Sequence, residues 1–179
     1  RVELSPLGGA DSIPLNVISA GQREFIPYLY GLFYLMPVGN DTRASNVHTV
    51  IIEELEMGLH PKAIGDAFLT VMALLQRGYR VVLSTHSSVL IDYVWALVEY
   101  KRRMPQNMSF ETYLCKLFEI PPSPFTALFN EFYRKVIKLY YFKPQGENSA
   151  TETVDISSLD VFSDNPDVNT WGDLTAFSS

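Results

Sequence analysis

Thr49-Val50-Ile51-Ile52-Glu53-Glu54-Leu55-Glu56, running through Met57-Gly58 into Leu59-His60-Pro61, is the stretch that decides the fold. An apolar run from Val47 that ends in acids suits a buried parallel strand whose C-terminal end carries function. Pro61 fits the first turn of a helix, since a residue without an N–H loses nothing there. Ile64, Ala67, Phe68, Val71, Met72 and Leu75 then follow the i, i+3, i+4 spacing of one buried face, and Gly78 closes the helix as a C-cap. Arg80 to Thr85 is a second apolar strand. Ser87 or Ser88 caps a helix reaching about Arg102 that is apolar almost all round and therefore belongs in a core. Residues 47–102 thus read strand, helix, strand, helix, the repeating unit of an α/β fold with a parallel sheet flanked by helices.

Upstream, Ser19 to Met36 reads as a helix, with Ser19 as N-cap and Gln22 completing a Ser-x-x-Gln capping box. Pro27 should kink it or shorten its first turns. Arg1 to Ser5 suits a short strand and Pro6 to Pro14 a loop. Downstream, residues 109–134 look helical, broken by Pro121, Pro122 and Pro124. Val136 to Phe142 and Thr151 to Ile156 resemble two strands of a C-terminal β-hairpin turning over Pro144 to Asn148. The tail from Ser157 is acidic and loop-like. The motifs divide the chain, read as one partial domain over 1–179, into a core segment 17–102, a helical region 103–135 and C-terminal strands and tail 136–179.

With 179 residues, of which 47% are hydrophobic and 13% aromatic, the chain can bury a substantial core. A formal charge of -6 argues against a nucleic-acid grip, because affinity for phosphate backbones comes mainly from clustered Lys and Arg. The single cysteine, Cys115, excludes an internal disulfide and a cysteine-based zinc cage, and reads as a buried thiol in a reducing, cytoplasmic compartment. The most apolar run, Phe25 to Val38, contains Pro27 and Pro37 and falls short of the roughly 20 residues that cross a bilayer. No signal peptide is visible, and the start at Arg1 instead of Met suggests residues upstream.

Three turns carry candidate chemistry. Ser19-Ala20-Gly21-Gln22 opens a helix, where unpaired N–H groups and the positive end of the dipole favour an anion such as phosphate. Gly21 allows close backbone approach and the Ser19 hydroxyl can donate. Plain helix capping explains Ser19 and Gln22 equally well. Glu53 and Glu54 are adjacent carboxylates at a strand end and point opposite ways, so one can face a metal-bound water while the other orients an attacking water. The bland alternative is a solvated acidic turn. His86 directly follows the second strand and precedes a helix, so it should sit at the same sheet edge and can donate to a phosphoryl oxygen. Structural histidines in such turns are also common. His60 can help start the helix at Pro61, and His48 opens a strand.

Taken in order, these turns resemble the C-terminal part of an ABC-type ATPase head, of the SMC-like kind found in chromosome-maintenance, DNA-repair and phage-defence proteins. In that resemblance Ser19, Ala20, Gly21 and Gln22 match the signature motif, with Arg23 and Glu24 its polar continuation. Ile51 to Glu56 match Walker B, with Glu53 as the magnesium-associated acid and Glu54 as the catalytic glutamate. Met57 to His60 fall at the D-loop, and His86 matches the switch histidine. Glu-Glu-x-Glu followed by Leu-His-Pro looks particularly like bacterial AAA ATPases related to the OLD nucleases. Glu53 stands where most members carry Asp, and Leu55 where Pro is usual. Nowhere does Gly-x-x-x-x-Gly-Lys-Ser/Thr occur, nor any Gly-Lys pair. The chain alone should therefore bind ATP weakly or not at all.

The resemblance implies ATP and Mg2+ as cofactors and a head-to-head homodimer in which Ser19 and Gly21 act on nucleotide held by the second protomer. It also implies an effector or nuclease partner, with no membrane and no direct nucleic-acid contact by this segment. The rival reading is a catalytically inactive ATPase-like module for nucleotide sensing or protein interaction. A weaker idea makes the aromatic-rich stretch 109–142 a partner surface; core packing explains those rings more simply.

Overall fold

The computed structural model describes residues 3–4, 13–14, 20–37, 39, 44, 46–103, 107–121, 132–145, 150–172 and 174. The chain divides into two compact units, Arg1–Ser84 and Thr85–Ser179, a boundary inside the 17–102 stretch that the motifs group together.

The first unit contains the antiparallel pair β1 (Glu3–Leu4) and β2 (Ile13–Pro14), then helix α1 (Ala20–Leu35). The second of those strands falls inside the expected loop 6–14. Next come β3 (Thr49–Glu53), α2 (Pro61–Gln76) and β4 (Arg80–Ser84). β3 and β4 pair in parallel, Thr49 opposite Arg80 through to Glu53 opposite Ser84. This is the strand-helix-strand unit read from the sequence, with α2 packed against β4.

The ends of α2 arise from local chemistry. Pro61 occupies the first turn and His60 is the N-cap, its Nδ1 accepting from the Lys62 N–H at 3.3 Å. At the other end Gly78 takes a left-handed φ of +88, with its N–H donating to Leu75 O at 3.1 Å and that of Tyr79 to Leu74 O at 3.2 Å. These two bonds make a Schellman motif, which satisfies carbonyls that the helix leaves open. Ile64, Ala67, Phe68, Val71 and Met72 are buried as the spacing predicts, but the last contact comes from Leu74 and not Leu75.

α1 extends through Pro27 as one helix. Its C-terminus is fastened to the turn after α2. The buried Tyr79 hydroxyl donates to Leu35 O at 2.9 Å and accepts from the Ala44 N–H at 2.6 Å. Arg77 Nη1 contacts Met36 Sδ at 3.4 Å, and Tyr28 Oη shares a hydrogen bond with Thr70 Oγ1. Burial pushes the Tyr28 phenol above its ordinary range, opposed by that bond.

Alternation gives β3 and β4 two unlike faces. Ile52 is buried and Val50, Val81 and Leu83 are half-buried, whereas the cross-strand pair Ile51 and Val82 on the opposite face is 69% and 55% exposed.

The second unit opens with α3 (Ser88–Arg103), which buries Leu90, Ile91, Ala96 and Leu97. Its other apolar residues are half-buried and none is exposed, so the helix packs around most of its circumference, as its composition suggests. α4 (Phe110–Leu117) is capped by Ser109, which accepts from the Thr112 N–H at 3.2 Å, and it buries Leu114 and Cys115. Tyr113 donates to Ala96 O at 3.0 Å. The described aromatics of this region pack on one another: Tyr93 stacks on Phe118, and Phe110 meets Tyr100 and Tyr133. Phe125 and Phe129 lie outside the described residues. Lys101 Nζ donates to Phe132 O at 3.2 Å and Lys135 O at 2.9 Å, and its burial holds the ammonium below the usual lysine range.

β5 (Tyr140–Gln145) and β6 (Ala150–Asp155) form the C-terminal hairpin, a few residues later than expected for the first strand. The segment after β6 is more ordered than the loop its composition suggests. Asn165 caps a short α5 (Pro166–Asn169), and Leu159 and Trp171, the latter 6% exposed, pack with Ile91. Among the described residues no helix is long and apolar enough to cross a membrane.

Candidate functional site

The residues singled out by the motifs in the first unit converge where α1 begins and β3 ends. Glu53 is the last residue of β3, exposed, opposite Ser84 and on the same face as Ile51. Glu54 leaves the strand abruptly with a left-handed φ of +48. Its N–H donates to Ser84 O at 3.0 Å, with the Ser84 hydroxyl oxygen a second, longer acceptor at 3.4 Å. Glu54 therefore leaves the extended strand conformation, so the simple strand alternation suggested by the sequence does not set the relation of the two carboxylates. The left-handed angle costs a side-chain-bearing residue roughly 1 kcal/mol or more and persists only when the surroundings impose it.

The loop after Glu54 is tightly built. Met57 N–H donates to Glu54 O at 2.8 Å and Leu59 N–H to Glu56 O at 2.9 Å, two successive turns. Leu55, where the resembled family usually has Pro, anchors the loop by burying its side chain. Gly58 adopts φ +71 and lies against Gly21 in the first turn of α1. The loop ends at the exposed His60, whose Nδ1 accepts the capping bond from the Lys62 N–H.

A groove of about 550 Å³ opens between α1 and β3, and Glu24, Glu53 and Glu54 all line it. Its walls are otherwise apolar, from Phe25 and Tyr28 on α1 and Ile51 on β3. The sequence marks Glu24 only as a polar continuation of the signature turn. Its spacing of three from Gly21 puts it one turn along the same helix face, the one signal that points to it.

Ala20 and Gln22 belong to the first turn of α1, whereas Ser19 lies outside the described residues. His86 belongs to the second unit. It is exposed on a turn closed by Thr85, whose Oγ1 accepts from the Ser87 N–H at 2.9 Å across the histidine. Ser87 O then accepts from Ile91 N–H, which starts α3.

Mg2+ commonly takes one or two protein carboxylates and fills its remaining positions with water and phosphate oxygens. Glu53, exposed at a strand end beside a hydroxyl, fits that partial role. Among the described residues no three His, Cys, Asp or Glu side chains form a complete metal cage. ATP fits only in part, because the loop and lysine that cradle its phosphates have no counterpart in the sequence.

Neither a curated protein nor a solved structure matches the chain. Residues 5–92 match the model of a family described as "AAA domain, putative AbiEii toxin, Type IV TA system". That stretch contains every residue singled out above, from Ser19 to His86, and its similarity to a AAA domain supports a nucleotide-binding, ATPase-like segment with a P-loop NTPase type of α/β fold.

Proposed function

We propose that this chain supplies the signature turn, the Walker B acids and the switch histidine of an ABC-type ATPase that hydrolyses ATP with Mg2+ as a homodimer. The observation that carries the reading is Glu54, held left-handed at the end of a parallel strand with its amide pinned by Ser84. Strain of this kind concentrates where a side chain must be aimed. The exposed Ile51 and Val82 face adds support, because parallel sheets are normally covered on both sides and a phosphate-binding lobe from another segment would cover this one.

In this reading Glu54 accepts a proton from, or orients, the attacking water. Glu53 holds a water of the magnesium shell, and His86 donates to a γ-phosphate oxygen. The signature residues Ser19 to Gln22 close on nucleotide carried by the second protomer, and His60, which ends the loop after Glu54, joins in holding it. Bound Mg2+ would neutralise phosphate charge; the protein's share is positioning. We place the assembly in the cytoplasm, serving a DNA-repair or phage-defence effector or nuclease. The toxin–antitoxin wording of the matched family agrees with the defence side of that assignment.

Glu54→Gln in the full-length gene product is expected to abolish hydrolysis and trap an ATP-bound dimer, seen by gel filtration with ATP. Hydrolysis at the parental rate would remove Glu54 from its role. Glu54→Gly is expected to be equally inactive yet about 0.5–1 kcal/mol more stable in urea, since glycine adopts the left-handed angle freely. The second reading, a nucleotide-sensing or protein-binding module without turnover, is favoured by the missing Gly-Lys pair. Nucleotide binding by full-length protein with no magnesium-dependent phosphate release would select it.

A further inference from the structure

Gly21 and Gly58 meet backbone to backbone. A methyl group on Gly21 would lie 2.8 Å from both the Cα and the carbonyl carbon of Gly58, and closer still to its oxygen. A methyl on Gly58 would run into Gly21 Cα, with Gly21 C at 3.1 Å and Glu24 Oε2 at 3.2 Å. Neither collision could be relieved by a flexible side chain, because both partners are main chain. Gly58 also needs glycine for its left-handed φ, whereas Gly21 sits in ordinary helix and is required for space alone.

From Gly58 the rigid path continues to Glu54. The bond from Met57 N–H to Glu54 O, the bond from Leu59 N–H to Glu56 O and the buried Leu55 leave this segment little freedom. Glu54 is pinned in turn to Ser84.

We infer that Gly58 is a positioning residue: its contact with Gly21 locks the first turn of α1 to the loop that aims Glu54, so that the two move as one body. The effect on turnover rests on the ATPase reading above, but the contact itself does not. In a head-to-head dimer the signature turn serves the nucleotide of one site and Glu54 that of the other. The Gly21–Gly58 joint then makes closure at one site felt as alignment at the other.

The test is a double-mutant cycle in the full-length protein with Gly21→Ala, Gly58→Ala and the pair, read by thermal midpoint and by kcat and KM for ATP. Gly78→Ala is the control, for Gly78 has φ +88 but nothing within 4 Å of an added Cβ. It carries the backbone penalty without a collision.

The expected result is non-additive melting, the double variant falling no lower than the worse single one, because either methyl alone opens the joint. Gly58→Ala should lose kcat roughly tenfold or more at near-parental KM, and Gly78→Ala should keep parental kcat; Gly21→Ala, which also touches the nucleotide turn, is read by melting alone. Melting losses that simply add, Gly58→Ala with parental kcat, or an equal kcat loss in Gly78→Ala would each overturn the proposal. Should Gly58→Ala not fold, Gly58→Asn, which tolerates the left-handed angle while keeping the collision, takes its place in both readouts. A parent protein that does not hydrolyse ATP would sink the ATPase reading, and the melting cycle would then decide the joint by itself.

Discussion

α1 and α2 are each 16 residues long and rich in apolar side chains, yet they live in different environments. α2 buries Ile64, Gly65, Ala67, Phe68, Val71, Met72 and Leu74 in one stripe. α1 buries Leu32 and leaves Leu29, Tyr30, Phe33 and Tyr34 largely exposed. The difference lies in arrangement. The apolar residues of α2 fall on the face that meets the sheet, while those of α1 run around the cylinder, more than one neighbour can cover. α1 is therefore held in place by its end as well as by its face, through Tyr79, Arg77 and the Tyr28–Thr70 bond.

The strongest way to break this comparison is to truncate one residue in each helix. Leu74, 0% exposed, should cost about 2–5 kcal/mol as Leu74→Ala, from lost burial plus the cavity left behind. Tyr79→Phe sharpens the comparison by asking whether polar ties hold α1. Removing the hydroxyl strips partners from Leu35 O and the Ala44 N–H, at an expected cost of about 1–3 kcal/mol. A loss within about 0.3 kcal/mol would show that water takes over and that α1 is held by its face after all. The smallest effect belongs to Phe33→Ala. At 72% exposed it should change stability by no more than about 0.5 kcal/mol, measured like the others by urea unfolding monitored by circular dichroism. A cost comparable to that of Leu74→Ala would erase the distinction between the helices.

The elements legible in the sequence are those fixed by local rules. Pro61 and Gly78 bracket α2 because each satisfies a helix end by its own covalent structure, and the acids ending an apolar run correctly announce the end of β3. Leu74 displaces Leu75 because the phase of a last turn depends on what the helix packs against. The burial of Leu159 and Trp171 is invisible for a related reason: an acidic, turn-rich tail gives no period, and its core contacts reach back to Ile91. At the site, the residue types of Glu53, Glu54 and His86 stand out, but the left-handed φ of Glu54 does not. Nothing in Glu-Glu-Leu-Glu distinguishes a strand from a strand that turns left at its last acid, and the partner that holds the Glu54 amide, Ser84, lies thirty residues on. The partnership of Gly21 and Gly58 is likewise beyond reach, although each glycine alone is in view.

Cys115 has a practical consequence. It is the chain's single thiol and is buried in α4, within the second unit. Its reaction with a maleimide is therefore gated by opening of that unit, since thiolate chemistry requires access. Labelling rate becomes a clock for opening around α4.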